Sequence, residues 1–249
     1  LNIGGNFDNN DTFTHRSGKV IFDAADAGNT IEAGSSDLYD AVFQGGGGDG
    51  TWNIQTDNIA IANTLDVDAG DTLDILSGRV ATLNKTSGST LTLDGTINGS
   101  GRLDYKTSTA FPTTGTIDSN LRFDSSSNNQ TMSARTYGGN VEVFNSGALS
   151  NRTVTLDNGT VNVTGSLYLN ADDTTNITLD GSSNNPALNV TGDLDFIGTG
   201  LGNEIHDPGE QTITVSGDVN FSDGSFNTGG GSTLQMNGTG KTLTLGGNS

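Results

Sequence analysis

The sequence has 249 residues, with Gly 37, Pro 3, Cys 0 and a formal net charge of -19 at pH 7. Because there is no cysteine, a disulfide framework and a thiolate metal site are both excluded. The acidic balance argues against nucleic acid and anionic lipid as partners, since both repel negative charge. No apolar run approaches the roughly 20 residues that a membrane-spanning helix needs, so this segment is not expected to insert in a membrane.

Apolar and polar residues alternate along most of the chain. In "TWNIQ" the alternation places Trp52 and Ile54 on one face, and in "NIAIAN" it places Ile59 and Ile61 on one face. The same pattern runs through "TLDVDAGDTLDIL", "STLTLDGTI", "NVEVF", "RTVTLDNGTVNVTGSLYLN" and "TLTLGG". A period of two predicts β-strands, and the clusters of Gly, Asn, Asp and Ser between these segments predict turns. We therefore expect an all-β protein with essentially no α-helix.

A short phrase recurs along the chain and indicates how the strands are arranged. It reads "LNIGGNF" from Leu1, "VNVTGSL" from Val161, "LNVTGDL" from Leu188 and "ITVSGDV" from Ile213. The last three copies follow one another at intervals of about 25 residues, which is typical of a solenoid whose successive coils repeat one strand and one corner. The sequence therefore predicts a parallel β-helix of about ten coils.

Each residue of the repeated phrase has a predicted role in this fold. Val163, Val190 and Val215 occupy one position of the phrase and are expected to stack in the core. Gly192 is expected to form a tight or positive-φ corner, and Asp193 to bond to neighbouring backbone groups. Some of the many asparagines are expected to stack in ladders between coils.

The two ends of the chain resemble each other. Residues 1–36 are similar to residues 213–249, with Phe226 corresponding to Phe13, Met236 to Phe22 and Leu243 to Ile31. We therefore predict that residues 1–249 form a single continuous solenoid and belong to a longer tandem array, although reuse of a shorter cassette would give the same similarity. No leader segment opens the sequence at Leu1, so any secretion signal is expected to lie outside it.

The segments "GNFDNNDTFTHRSGKVIFDA", "NTIEAGSSDLYDAVFQGGGGDGTWNI" and "LDVDAGDTLDI" carry a resemblance to a known group of proteins. They are similar to the repetitive Gly-, Asn- and Thr-rich β-solenoid regions of large bacterial and archaeal surface proteins, including adhesins and autotransporter passengers. This resemblance implies an extracellular or cell-surface location and a structural or adhesive role, and it implies no catalytic residues.

Two acidic residues are the best candidates for catalysis. Asp66 and Asp68 alternate outward from a predicted strand, with Asp71 and Asp74 nearby. Parallel β-helices that cleave polysaccharides use carboxylates clustered on one outer face. The same spacing arises whenever acids fill the solvent face of a strand, and His15 and His206 are isolated in the sequence. We therefore favour a protein that is not an enzyme, with a polysaccharide lyase or hydrolase as the alternative.

The segment "GNEIHDPGEQ" is the densest group of oxygen ligands in the chain. Asn203, Asp207 and Glu210 are the candidate calcium ligands, because calcium prefers hard oxygen donors. Thr199 and Leu201 stand where further acids would be expected, and the turn signal at Asp207 also fits an inserted loop between coils. The protein is expected to require no cofactor, with calcium as the one candidate.

Threonine pairs such as Thr90 and Thr92 do not recur at a regular interval in the sequence, so β-propensity explains them better than an ice-binding face. The segment "QGGGGDG", from Gln44, is predicted to be a turn rather than a phosphate loop, since no lysine or helix follows it.

The sequence favours a structural or adhesive extracellular surface protein that forms a rod or fibre by stacking of β-coils. Self-association, neighbouring repeats of the same protein and cell-surface glycans are the expected partners. The alternative is a polysaccharide-binding or polysaccharide-degrading β-helix, which would require outward acids and aromatic residues such as Tyr105, Tyr137 and Tyr168 to converge on one groove.

Overall fold

A computed structural model describes residues 1–34, 36–45, 48–84, 88–125, 127–145, 150–171, 175–198, 204–207, 209–226 and 231–246. The regular elements in these ranges are all β-strands, and the chain is an all-β parallel β-solenoid of about nine turns. The predicted fold class is confirmed, with about one coil fewer than expected. The described ranges contain no helix long and apolar enough to cross a membrane.

The first of two compact units comprises Leu1–Asn120. Its strands are β1 (Asn2–Ile3), β2 (Phe7–Asp8), β3 (Lys19–Phe22), β4 (Asn29–Glu32), β5 (Leu38–Phe43), β6 (Thr51–Ile54), β7 (Ile59–Val67), β8 (Thr72–Ile75), β9 (Val80–Leu83), β10 (Thr90–Leu93), β11 (Thr96–Asn98), β12 (Arg102–Tyr105) and β13 (Thr116–Ile117). Within this unit, sheet I has the order β1-β3-β5-β7-β9-β12, and sheet II has the order β2-β4-β6-β8-β11-β13. Neighbouring strands run parallel, as coil-on-coil stacking requires.

One coil of the first unit is irregular. The beginning of β7, at Ile59, pairs with β9, whereas the end of β7, from Thr64 to Val67, pairs with β10. Strands β9 and β10 therefore follow each other along the long strand β7, and each pairs with a different half of it. The alternating pattern predicts that both segments are strands, but it contains no information about which of them pairs with which half of β7.

The second unit comprises Leu121–Ser249. Its strands are β14 (Asn120–Asp124), β15 (Gln130–Met132), β16 (Thr136–Tyr137), β17 (Val141–Asn145), β18 (Arg152–Leu156), β19 (Thr160–Val163), β20 (Leu167–Ala171), β21 (Ile177–Asp180), β22 (Ala187–Val190), β23 (Leu194–Phe196), β24 (Glu204–Asp207), β25 (Thr212–Val215), β26 (Val219–Phe221), β27 (Gly224–Phe226), β28 (Thr233–Met236) and β29 (Leu243–Leu245). Within this unit, sheet III has the order β14-β17-β20-β23-β26-β29, sheet IV the order β15-β18-β21-β24-β27, and sheet V the order β16-β19-β22-β25-β28.

The repeated phrase forms one stacked row in sheet V. Val163 pairs with Val190, and Val190 pairs with Val215. All three side chains are buried, as predicted from the interval between the copies. The copy at Leu1 does not belong to this row, because Ile3 lies in β1 and pairs with Phe22 of sheet I.

The residue after the glycine of the phrase links successive coils. Ser166 Oγ accepts a hydrogen bond from the Asp193 N–H at 3.0 Å. Asp193 Oδ1 accepts from the Asp218 N–H at 2.8 Å, and Asp218 Oδ1 accepts from the Thr242 N–H at 2.8 Å. Asn140 begins the series by accepting from the Ser166 N–H at 2.9 Å. We call these five residues the corner ladder. The first four members each accept a hydrogen bond from a backbone N–H of the next coil, and these bonds help to fix the register.

Asparagines contribute similar links elsewhere, as predicted. Asn189 Nδ2 donates to Asn162 Oδ1 at 2.9 Å, so the two amides stack in consecutive coils of sheet V. Asn151 Oδ1 accepts from the Asn176 N–H at 3.0 Å at a corner of sheet IV. The abundance of asparagine in the turns is therefore tied to the stacking of the coils.

Only glycine fits at the corner of the repeated phrase, because atoms of the preceding coil lie very close to it. Gly192 is not among the glycines with positive φ, but a Cβ at this position would lie 2.5 Å from Ser166 Oγ and 2.7 Å from the Gly165 carbonyl carbon. Both distances are too short for a carbon atom. The predicted tight corner is thus confirmed, and its cause is close contact with side-chain and backbone atoms of the preceding coil rather than the backbone dihedral angle.

We expect the Gly192→Ala substitution to destabilise the protein by about 2 kcal/mol, because the added methyl group collides with the corner ladder and with the backbone. Urea unfolding followed by far-UV circular dichroism measures this change. Gly5→Ala is the matched control, since a Cβ at Gly5 meets nothing within 4 Å. Equal midpoints for the two variants would show that the close approach at Gly192 does not constrain the corner.

Candidate functional site

The acidic residues near β7 and β8 lie in different environments. Asp66 is half-buried and Asp68 is exposed, as expected for the outer face. Asp71 is only 2% exposed, and its two carboxylate oxygens accept backbone hydrogen bonds from Gly45 at 2.7 Å and Gly50 at 2.8 Å. Asp71 therefore holds Gly45 and Gly50, at the two ends of the glycine-rich turn, and does not belong to an outward acidic face.

Two of the remaining acids, Asp66 and Asp74, have a raised pKa. Burial raises the pKa of Asp66, and the negative charges of Asp68 and Asp94 raise it further, while Lys19 acts in the opposite direction. Burial also raises the pKa of Asp74. A carboxyl group with a raised pKa is suited to general acid catalysis, but structural crowding raises the pKa of carboxyl groups too. The polysaccharide-cleaving alternative therefore stays a prediction.

The candidate calcium ligands are only partly described. Asn203 lies outside the described residues. Asp207 is half-buried at the end of β24, and Glu210 is exposed in the following turn, where its N–H donates to Asn185 Oδ1 at 3.0 Å. Within the described part of the chain, no three acidic or histidine side chains gather closely enough to hold a metal ion. The calcium site stays a prediction that rests on the sequence.

Two of the three tyrosines considered for a ligand groove are core residues. Tyr105 and Tyr137 are fully buried. The Tyr105 hydroxyl donates to the Thr109 carbonyl at 2.7 Å, and the Tyr137 hydroxyl donates to the Ser133 carbonyl at 3.0 Å. The expectation that these two tyrosines point outward is wrong, because each is a buried aromatic ring with a satisfied hydroxyl and stabilises the core. Tyr168 is half-buried and points outward from sheet III.

Tyr168 belongs to a row of polar residues on the outer side of sheet III. The strand register places Arg122 beside Glu142, Glu142 beside Tyr168, Tyr168 beside Asp195, and Asp195 beside Asn220. We call these five residues the outer row. An aromatic ring flanked by carboxylate, amide and guanidinium groups is suited to bind sugar hydroxyls, because it combines a flat apolar surface with fixed polar groups.

The polar members of the outer row are held in place. Arg122 Nε donates to Glu142 Oε2 at 2.7 Å, and the Arg122 guanidinium lies 4.1 Å from the centroid of the Phe144 ring. Asn220 Nδ2 donates to Asp195 Oδ1 at 2.8 Å. This row was not found from the sequence, because its members come from five coils and share no residue type.

A regular threonine row on sheet II was also missed. Thr51 pairs with Thr72, Thr72 with Thr96, and Thr96 with Thr116. All four point away from the core. These threonines are not part of Thr-x-Thr pairs, because an asparagine or aspartate, such as Asn53, stands at the second outward position of each strand. The recurring Thr-x-Asn/Asp spacing would have identified the row.

His206 is a core residue of sheet IV. It is fully buried, its Nε2 lies 3.2 Å from Gln211 Oε1, and its ring packs edge-on against Phe226 with 5.4 Å between centroids. Burial lowers the pKa of His206 to about 4, although the hydrogen bond with Gln211 and the charge of Asp180 oppose the change. The imidazole is therefore neutral at pH 7.

This burial predicts a dependence of stability on pH. Between pH 4 and 6.5 the unfolded chain binds a proton at His206 that the folded chain does not, so the free energy of unfolding falls as the pH falls. This loss of unfolding free energy reaches about 3 kcal/mol by pH 4 and is absent above pH 6.5. Urea unfolding of the native protein and of His206→Phe across this range isolates the effect. Identical pH profiles would contradict the prediction.

In the described part of the chain, the first and last strands each pair with a neighbouring strand on one side. In the first unit β1 is the edge strand of sheet I, and in the second unit β29 is the edge strand of sheet III. Leu1 and Leu245 are 63% and 59% exposed, in contrast to the buried apolar residues of the interior coils.

Comparison of the chain with protein-family models, curated proteins and solved structures finds no match. The structure itself defines the class of this protein, which is a parallel β-solenoid.

Proposed function

We propose that the protein is a structural or adhesive component of an extracellular surface, in which stacked β-coils form a rod or fibre. The corner ladder carries this proposal. It repeats one side-chain-to-backbone hydrogen bond from Asn140 to Thr242, in addition to the parallel strand pairing. A hydrogen bond that is repeated from coil to coil holds an extended stack of coils in register, as a rod requires, and it does not form a cleft.

Two further observations support the proposal. The resemblance to Gly-, Asn- and Thr-rich surface proteins implies the same role, and the formal net charge of -19 keeps an extended surface soluble. Neighbouring repeats or further copies of the same protein are the expected partners of such a rod, because strands add to a sheet at its edge. No cofactor is needed for this role, and calcium at Asp207 and Glu210 would only add a local crosslink.

Two measurements test the proposal. Antibodies raised against the purified chain should label intact cells of the source organism without permeabilisation. Labelling only after permeabilisation would overturn the extracellular location. Electron microscopy of the purified chain, with and without calcium, should show rods or filaments, whereas compact particles in both conditions would overturn the structural role.

The outer row favours a second candidate function, which is binding of a polysaccharide. Tyr168 would stack on a sugar ring, and Glu142 and Asp195 would accept hydrogen bonds from its hydroxyls. Affinity electrophoresis against a panel of soluble polysaccharides tests this function. Retardation that is lost in Tyr168→Ala but kept in Thr72→Ala, on sheet II, would support it. Release of reducing ends in the same mixtures would indicate the lyase or hydrolase alternative.

A further inference from the structure

One cation on the outer face of sheet III is held between an aromatic ring and a carboxylate. Arg122 Nε donates to Glu142 Oε2 at 2.7 Å, and the guanidinium lies 4.1 Å from the centroid of the Phe144 ring. The side chains of Arg122 and Glu142 are only 19% and 15% exposed. Asn170 Nδ2 donates to Glu142 Oε1 at 2.8 Å. The protein therefore neutralises the charge of Glu142 with its own arginine.

Two further strands of the same face repeat the ring and the carboxylate without a cation. Tyr168 in β20 pairs with Asp195 in β23, so the two side chains lie on neighbouring strands, about 4.8 Å apart. Both are half-buried and keep part of their surface in water. Asp195 Oδ1 accepts from Asn220 Nδ2 at 2.8 Å. In the described part of the chain, no ion pair includes Asp195.

The surroundings of Asp195 are negatively charged. Burial raises the pKa of Asp195, and the charges of Asp193 and Asp223 raise it further, while the hydrogen bond from Asn220 lowers it. A nearby positive charge would stabilise a carboxylate in this environment. The face of a tyrosine ring also attracts cations, because its π-electrons carry partial negative charge. The ring of Tyr168 and the carboxylate of Asp195 thus favour the same kind of ligand group.

We propose that the polysaccharide bound by the outer row carries free amino groups, and that Tyr168 and Asp195 together hold one protonated amine. The ammonium group lies over the Tyr168 ring and donates to Asp195 Oδ2. This arrangement repeats the one in which Arg122 lies over Phe144 and donates to Glu142. Asp195 is then the residue that determines specificity, because its charge has no partner within the protein.

This inference rests on the second candidate function, polysaccharide binding, and names the class of polysaccharide. Because the outer row crosses five coils of sheet III, a linear chain that lies along it can place an amine at Tyr168 and hydroxyl groups at Asn220. A polysaccharide of uronic acids would be repelled by Asp193, Asp195 and Asp223. A neutral polysaccharide would contact the ring but leave the charge of Asp195 without a partner.

Two oligosaccharides that differ only in charge test the proposal on the native protein. Oligomers of glucosamine carry free amino groups, and oligomers of N-acetylglucosamine have the same backbone without them. Isothermal titration calorimetry at mildly acidic pH, where amino groups are protonated, measures both affinities. We expect the glucosamine oligomer to bind at least about tenfold more tightly. Equal affinities would overturn the selection of an amine.

Variants separate the site from the general attraction between a cationic oligomer and an acidic protein. Asp195→Asn and Tyr168→Ala should each weaken binding of the glucosamine oligomer about tenfold, whereas Tyr168→Phe keeps the ring and should bind normally. Asp118→Asn is the matched control, because it removes one carboxylate charge at an exposed position beside β13 of sheet II. Equal losses for Asp195→Asn and Asp118→Asn would overturn the site. Urea unfolding checks that each variant is folded.

The outcomes also separate this inference from the function on which it rests. Equal binding of the two oligosaccharides would remove the amine and leave polysaccharide binding intact. No retardation by any member of the polysaccharide panel would overturn polysaccharide binding itself. A lysine oligomer of equal charge that binds more tightly than the glucosamine oligomer would overturn the proposal in favour of a basic protein segment.

Discussion

The Val190→Asp substitution is expected to unfold the second unit at room temperature. Val190 is 2% exposed and is stacked between Val163 and Val215 in consecutive coils of sheet V. A carboxylate at this position would be buried without a partner, and we expect a loss of more than about 4 kcal/mol. Far-UV circular dichroism and urea unfolding of the purified variant measure this loss directly.

Asp66→Asn is the control for this substitution. It also changes the charge of the protein by one carboxylate, but on the outer side of a sheet. Burial and the charges of Asp68 and Asp94 raise the pKa of Asp66, so its ionised form is disfavoured in the folded protein. Removing the charge should leave the free energy of unfolding unchanged or slightly higher. If Asp66→Asn were the more damaging of the two variants, the assignment of inward and outward faces would be wrong.

The alternation of apolar and polar residues and the interval between copies of the repeated phrase were sufficient to predict the fold class and much of the core. Trp52, Ile54, Ile59 and Ile61 are all buried, as the period of two predicts. The interval between copies of the phrase also predicted the strand register that places Val163, Val190 and Val215 in one row. Both patterns can be read from the sequence because each coil of a solenoid lies on the one before it. Residues that are one repeat apart in the sequence are therefore neighbours in the structure.

The candidate site was harder to predict, because its features depend on contacts between coils of unequal length. Asp71 looks like a surface acid until Gly45 and Gly50 are placed around its carboxylate. Tyr105 follows the alternation of β12 into the core, but tyrosine alone does not reveal on which side its ring lies. The outer row of sheet III combines five residue types, so no repeated letter marks it in the sequence.

The Trp52→Ala substitution should produce the largest cavity that a single change can make in the first unit. Trp52 is the one tryptophan of the chain and is fully buried. Its ring centroid lies 5.5 Å from that of Phe43 and 6.4 Å from that of Phe22, and the two phenylalanine rings stack at 4.7 Å. We expect a loss of about 3–5 kcal/mol in the free energy of unfolding, measured by urea unfolding with circular dichroism.

Trp52→Phe separates the effect of the cavity from the loss of the indole itself. The Trp52 Nε1 atom is buried and has no hydrogen-bond partner among the described residues. Phenylalanine removes this unsatisfied donor while keeping an aromatic ring against Phe22 and Phe43, so its cost should be about 1 kcal/mol or less. Equal losses for the alanine and phenylalanine variants would mean that the indole, rather than filled volume, holds β4, β6 and β8 of sheet II against sheet I.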